Sequence, residues 1–261
     1  MQINTNNKNV IIFVSSAICL NMRDTFIYGN TEVYRTKLNY HRRFNQTKNT
    51  IKNLKFFFPS ADIILLDCGA PKKEIREYFN NIEQTEIVFL KDIDRVSYDL
   101  NCQSTQKGFC EANLVITFLD YFKNKIQSAD YVFKISGRYF INSVKENIIL
   151  NSNNTIFTKT TCNWPFEKFA DLNIYPPYLN INNKLHYTLT GFYGASTDIL
   201  SLFRTNMFNI RKCYEKNNCT VDFEVLFHYY MIHKLKNNIK HKVLDIFIEG
   251  LTSAEGEHTI Y

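Results

Sequence analysis

Residues 130–141 read DYVFKISGRYFI. Tyr131, Val132 and Phe133 are aromatic or β-branched, the types that fill a buried strand. Lys134 and Arg138 then stand four apart, around Ser136 and Gly137. A strand that feeds only a core has no use for two cations and a glycine at its C-terminal end. Ligands of open α/β sheets bind outside the carboxyl ends of the strands, so these cations stand where an anion would be met.

The chain around this stretch repeats one pattern. Residues 10–18 and 61–69 are apolar runs of the kind buried on both faces of a parallel sheet, and 85–90 and 130–136 add two more strands. Between them, 40–58 place Phe44, Thr47, Ile51, Leu54 and Phe58 three and four apart, a helix with one buried face that Pro59 ends. Shorter helices follow over 72–82 and 107–122. The order β-α-β-α-β-α-β predicts an α/β fold with a mostly parallel central sheet flanked by helices. The second half is less regular. Residues 150–185 read as loop with short strands, 187–197 as a strand interrupted by glycines, 198–208 as a helix, 222–235 as an amphipathic helix and 242–250 as a final strand. One domain over 1–261 is expected, with a ligand-binding half at about 9–145 and a second-substrate half at about 146–261.

Composition narrows the function. With 45% hydrophobic and 15% aromatic residues, 261 residues support a large core. A net charge of +6 comes from cations spread along the chain. A nucleic-acid binder would concentrate them in a stripe, so no nucleic-acid partner is expected, whereas a small anion needs only a few local cations. Seven cysteines without a CxxC argue against a zinc site or a disulfide framework. No apolar run is long enough to span a bilayer, and 10–20 lack a basic leader. A cytoplasmic protein is expected, with peripheral membrane contact left open. The sequons at Asn45, Asn153 and Asn218 would matter only in a secreted protein.

Four segments together carry a resemblance: RRFNQTKNTIKNLKFFFPSADIILLDCG, KGFCEA, DYVFKISGRYFI and the late DFEVLF. They resemble a group of GT-A-like glycosyltransferases from bacterial surface-polysaccharide clusters and large DNA viruses. That group has an R-F-x-Q-T-x-x-T-I helix, a K-G-x-x-E-A helix start and a K-I-S-G-R-Y strand. The resemblance covers 40–140 well and 187–258 loosely. It implies a GT-A-like fold and a nucleotide-sugar donor. Enzymes of that fold typically place an Asp-x-Asp pair, which holds a divalent metal on the diphosphate, at the end of the fourth strand. Here that place reads Ser136-Gly137-Arg138, so the resemblance carries over no metal ligand. A divalent metal, Mn²⁺ or Mg²⁺, stays open as a cofactor.

Sugar transfer from such a donor needs the leaving diphosphate neutralised, the acceptor hydroxyl deprotonated if configuration inverts, and an oxocarbenium-like sugar held away from water. Lys134 and Arg138 are candidates for the first task, because a guanidinium binds phosphate bidentately and Gly137 lets backbone approach. The alternative is a structural pair of Arg138 with Asp67 or Glu111. Ser15 and Ser136 stand at the same strand ends. Lys107 opens a helix whose N-terminus favours anions. Glu111 either caps that first turn or binds a sugar or ribose hydroxyl. Arg43 is a base or phosphate contact in the resembling group, or a surface arginine. Asp67 binds the nucleoside or forms an Asx turn. Glu224 is the candidate general base. Asp222 is the alternative base, or the helix N-cap; two apart on a helix, the two point to different faces. Gly191, Tyr193 and Trp164 are candidates for the acceptor site, the two aromatics as sugar-stacking surfaces or core. His258 reaches the diphosphate or lies in a disordered tail. The overall expectation is inverting transfer to a glycan or polysaccharide acceptor, with the metal requirement left open. A nucleotidyltransferase would want a glycine-rich loop after the first strand, where Ser15-Ser16-Ala17 stand. A non-catalytic glycan- or nucleotide-binding protein of the same fold is the remaining alternative.

Overall fold

A computed structural model of the chain describes residues 3, 8–19, 25–28, 31–34, 39–145, 148, 150–167, 175–217, 221–251 and 258–260. Its centre is a seven-stranded sheet. In chain order these strands and the helices between them are β1 (Val10–Ser16), α1 (Tyr40–Phe57), β2 (Asp62–Asp67), α2 (Lys73–Asn80), β3 (Thr85–Phe89), α3 (Arg95–Gln103), α4 (Lys107–Tyr121) and β4 (Tyr131–Ser136). After β5 (Tyr139–Val144) come β6 (Thr155–Thr158), β7 (Thr161–Pro165), β8 (Lys184–Thr188), β9 (Phe192–Ser196), α5 (Leu200–Asn217), α6 (Phe223–Phe227), β10 (Lys240–Val243), β11 (Ile246–Leu251) and β12 (His258–Ile260).

The central order is β10-β6-β9-β4-β1-β2-β3. Four of the six pairings are parallel, and only β9 runs against its two neighbours. Alternation along the strands supplies both faces. Ile11, Phe13, Ile64 and Leu66 join the core under α4 and α5, while Val10, Ile12, Val14, Ile63 and Leu65 join the core under α1 and α2. This is why the strands read as unbroken apolar runs. A smaller sheet, β12-β11-β5, lies beside the first, and β7 and β8 pair in a third. Among the described residues no helix is long and apolar enough to cross a membrane.

The expected first-half elements are present within a few residues, and α3 and β5 are additions that the sequence reading did not give. The second half differs at three places. The strand expected over 187–197 is two strands in different sheets, β8 and β9, separated by a turn at Thr190-Gly191. The strand expected over 242–250 splits into β10 and β11 at Leu244-Asp245, where the Ile246 amide donates back to the Leu244 carbonyl at 2.9 Å. The helix expected over 222–235 is α-helical only to Phe227; His228–His233 widen into a π-helix, and the Lys234 amide reaches five residues back to the Tyr229 carbonyl.

Candidate active site

The carboxyl ends of β1, β2 and β4 lie side by side, with Ser15 beside Ser136 and Ser16 beside Asp67. The turn after β4 begins with the Gly137 amide donating to the Ser15 carbonyl at 2.8 Å. A Cβ on Gly137 would sit 3.1 Å from Thr47 Oγ1 and 3.2 Å from Ser16. The glycine therefore admits α1, not a ligand, which corrects the expectation that it lets backbone approach a phosphate. Polar residues of α1 hold it in that place. Thr47 Oγ1 lies 3.2 Å from Ser16 Oγ. Thr50 Oγ1 donates to the Tyr139 carbonyl at 2.8 Å. Asn53 donates to the Ile141 carbonyl at 2.8 Å and accepts from its amide at 2.7 Å. Thr50 and Asn53 thus fasten α1 to β5, directly after the turn that presents Arg138, and Thr47 ties it to the end of β1.

Arg43, at the start of α1, donates through Nε to the Ala17 carbonyl just beyond β1. Burial, and after it the charge of Arg138, hold its pKa down to about 10, which leaves it cationic at neutral pH. Arg138 keeps a buried Nη1 with no hydrogen-bond partner. The arginine ion pairs among the described residues belong to Arg76, Arg95, Arg204 and Arg211, so neither Arg43 nor Arg138 makes a close ion pair, and Asp67 acts on Arg43 only beyond that range. Lys107, at the first turn of α4, closes the other side. The residue as a whole is exposed, yet desolvation by the surrounding protein and then Arg138 lower its pKa; Glu224 and Glu111 oppose this. Arg138 therefore acts on a cation from α1 and on one from α4.

Lys134 does not join them. It shares strand parity with Val132, so it points into the core under α4, where it forms an ion pair with Glu111. The expectation that Lys134 awaits a phosphate is corrected: its charge is matched by a carboxylate inside the protein. Glu111 likewise neither caps α4 nor stands free for a hydroxyl. Tyr193 lies opposite Lys134 in the antiparallel β4–β9 register, and the Lys134 ammonium is 5.4 Å from its ring centre. At 1% exposure, packed on Phe227 at 4.7 Å, the ring has no face for a sugar. This corrects the stacking role expected of Tyr193. Its buried hydroxyl is pushed well above the ordinary phenol pKa by desolvation and then by Glu111 and Glu224.

Asp67 is fully buried. Its carboxylate accepts from the Ile18 amide at 2.9 Å and the Gly69 amide at 2.7 Å, fixing the turns after β1 and β2. Desolvation raises its pKa, opposed by those two amides and by Arg43. Direct contact with a nucleoside is thereby excluded, and the turn-forming alternative describes this residue.

Asp222 and Glu224 belong to one patch. Asp222 occupies the N-cap position of α6 but makes no side-chain cap; its Oδ2 accepts from the Tyr175 hydroxyl at 2.9 Å. Burial and then Glu224 raise its pKa, while Tyr175 and Lys107 oppose. The expectation that the two acids face apart fails because an N-cap residue is not yet helical. Glu224 Oε1 accepts from Thr190 Oγ1 at 2.8 Å, across the turn between β8 and β9. The approach to α6 is fixed by Tyr214, whose hydroxyl donates to the Val221 carbonyl at 2.8 Å. Tyr214 fits because Gly108 has no side chain; a Cβ there would meet its hydroxyl at 2.1 Å.

Gly191, next to Thr190, faces open space and lines a cleft with Glu224. Trp164 is 46% exposed on β7, so the core role is excluded and the ring is accessible. His258 lies in β12, paired with Leu251; its side chain falls outside the described residues. Sequence reasoning missed Thr190, Tyr175 and Tyr214. Of these only Thr190 carried a signal, a hydroxyl beside a glycine in an interrupted strand.

No family model matches the chain, and no curated protein matches it. Solved structures do. Core-mannan synthase A from Aspergillus fumigatus, in its Mn/GDP form, matches with a TM-score of 0.51 and 8% identity over 95% of this chain and 76% of that one. A glycosyltransferase involved in glycosylation of the major capsid of PBCV-1 matches over 91% and 81%, with 8% identity and a TM-score of 0.44. The apo form of the glycosyltransferase GlyE of Streptococcus pneumoniae TIGR4 matches over 90% of this chain but 45% of its own, with 11% identity and a TM-score of 0.42. The architecture implied by the four resembling segments is therefore the one observed: the chain shares the α/β fold of a glycosyltransferase, core-mannan synthase A.

Proposed function

We propose that this protein is a glycosyltransferase that moves a sugar from a nucleotide-sugar donor to a glycan acceptor, with inversion. One observation carries the reading. At the carboxyl ends of the parallel strands, Arg138 keeps a buried, unpartnered guanidinium nitrogen near Arg43, and among the described residues neither arginine makes an ion pair with a carboxylate. Two guanidiniums close together repel each other unless an anion lies between them, and a diphosphate accepts their paired donors.

The other residues fit the remaining tasks. Arg43 and Arg138, with Lys107 at the α4 N-terminus, neutralise the diphosphate as it leaves. Glu224, oriented by Thr190, takes the proton from the acceptor hydroxyl while that oxygen attacks the anomeric carbon. The bond from that carbon to the diphosphate oxygen breaks on the opposite side, and the diphosphate keeps the electron pair. Asp222, held by the Tyr175 hydroxyl and close enough for Glu224 to raise its pKa, is the alternative base.

The residues at this rim do not fit a divalent metal on the diphosphate. The end of β4 offers Ser136-Gly137-Arg138, Asp67 is committed to two backbone amides, and the described residues hold no cluster of three or more His, Cys, Asp or Glu that could ligate an ion. No step is assigned to a metal. The test is a panel of nucleotide sugars scored by thermal shift in EDTA and again in Mn²⁺, since a bound ligand raises stability by mass action. A shift in EDTA supports the arginine site, whereas a shift only in Mn²⁺, or none with any donor, counts against it.

A further inference from the structure

The cleft that holds Glu224 contains a second charge that the transfer step does not use. Its walls come from Tyr139, Thr190, Gly191 and Ile248, with Glu224 on one side and Lys159 on the other. Lys159 stands one residue beyond β6. Its ammonium lies 5.4 Å from the centre of the Phe247 ring, and burial lowers its pKa. The lysine ion pairs of the described residues belong to Lys8, Lys73, Lys125, Lys134 and Lys145. The acid that acts most on Lys159 is Asp245, and Asp245 is already paired with Lys145 at 3.7 Å. Lys159 is thus a half-buried cation beside an aromatic ring, without an ion pair among the described residues, on the lining of the cleft that holds Glu224.

We infer that Lys159 binds an anionic group on the acceptor, so that the acceptor is an acidic sugar carrying a carboxylate or a phosphate beside its reacting hydroxyl. Three features support this. A Cβ on Gly191 would meet nothing within 4 Å, so the backbone beside Glu224 is open to an incoming group. An ammonium without a partner in a half-buried cleft is stabilised by an incoming anion more than one in free solvent. Anchoring the anion at Lys159 fixes the ring at a second point, so that one hydroxyl is held toward Glu224. The identification of the bound sugar as the acceptor rests on the transferase reading; the anion site itself does not.

The test is saturation-transfer NMR with glucose, glucuronate, galacturonate and glucose 6-phosphate, on the full chain and on the Lys159→Gln, Lys159→Arg and Arg138→Ala variants. The acidic sugars are expected to give signals and glucose none. Lys159→Gln should weaken binding about tenfold, the loss of one charge-assisted hydrogen bond. Lys159→Arg should retain it, and so should Arg138→Ala, which separates this cleft from the diphosphate site. Response to glucuronate or galacturonate alone assigns a carboxylate, and response to glucose 6-phosphate alone assigns a phosphate. Equal binding of glucose, or binding unchanged in Lys159→Gln, overturns the inference. A chain that takes acidic sugars through Lys159 but no nucleotide sugar keeps the anion site and loses the transferase reading.

Discussion

Lys134 and Glu111 meet as an ion pair in the core below the strand ends, one from β4 and one from α4. Both are largely removed from water, with side chains 6% and 24% exposed. Removing one partner of a buried pair leaves an uncompensated charge. Glu111→Gln and Lys134→Met should each destabilise the protein by about 3 kcal/mol, while Lys134→Met with Glu111→Leu should restore most of that loss. Urea denaturation of the three variants checks this. Additive losses would mean that the two charges are independent.

Glu224→Gln tests the base. The amide oxygen can still accept from Thr190, so the local geometry is kept while the proton acceptor is lost. Transfer should fall roughly 100- to 10,000-fold with donor affinity unchanged. Thr190→Ala should cause a smaller fall and Thr190→Ser should recover it, as expected of a residue that orients Glu224. Steady-state kinetics and a donor-binding isotherm separate the two effects.

The pH dependence of stability should show Asp222. Its pKa in the folded protein lies above the ordinary 3.8, so the folded state binds the proton more tightly than the unfolded chain. Stability from this group therefore falls as pH rises from that value through the folded pKa. Asp222→Asn, which can still accept from Tyr175, should remove that fall and stabilise the protein at neutral pH by on the order of 1 kcal/mol. Denaturant titrations between acid and neutral pH read the difference. A variant less stable than the parent at every pH would contradict it.

Gly108→Ala and Tyr214→Phe probe the support behind Glu224. The first forces Tyr214 away from α4, at a cost of about 1–3 kcal/mol; the second removes only the bond to the Val221 carbonyl. Both should lower the turnover number with little change in donor affinity. Loss of donor binding in Tyr214→Phe would show that Tyr214 acts on the diphosphate site instead.

The sequence reveals much of this molecule, unevenly and for physical reasons. β1, β2 and β4 are buried on both faces, so they read as apolar runs, and α1 shows its core face at a spacing of three and four. The polar side of α1 was harder to interpret. Thr50 and Asn53 bond to backbone far away in sequence and Thr47 to the distant Ser16 hydroxyl, and nothing local marks those partners. Lys134 was half legible: its parity with Val132 places it toward a helix, but only the packing of α4 shows that Glu111 waits there. Tyr193 was not legible, because its burial depends on an antiparallel register between strands nearly sixty residues apart. Arg138 was legible as a cation at a strand end, whereas its proximity to Arg43 appears only when α1 closes on the turn.

Arg138 affords the most direct measurement. Its buried Nη1 has no partner, so truncation should leave the fold as stable as before, within about 1 kcal/mol, or slightly more stable. Titration calorimetry of the parent and of Arg138→Ala should be run in EDTA with the best nucleotide sugar from the panel. Binding in the parent, at least tenfold weaker binding in Arg138→Ala and an unchanged melting temperature are the predicted result. Equal affinity in the two proteins, or a melting temperature that collapses with the arginine, would contradict the assignment of Arg138 to the diphosphate.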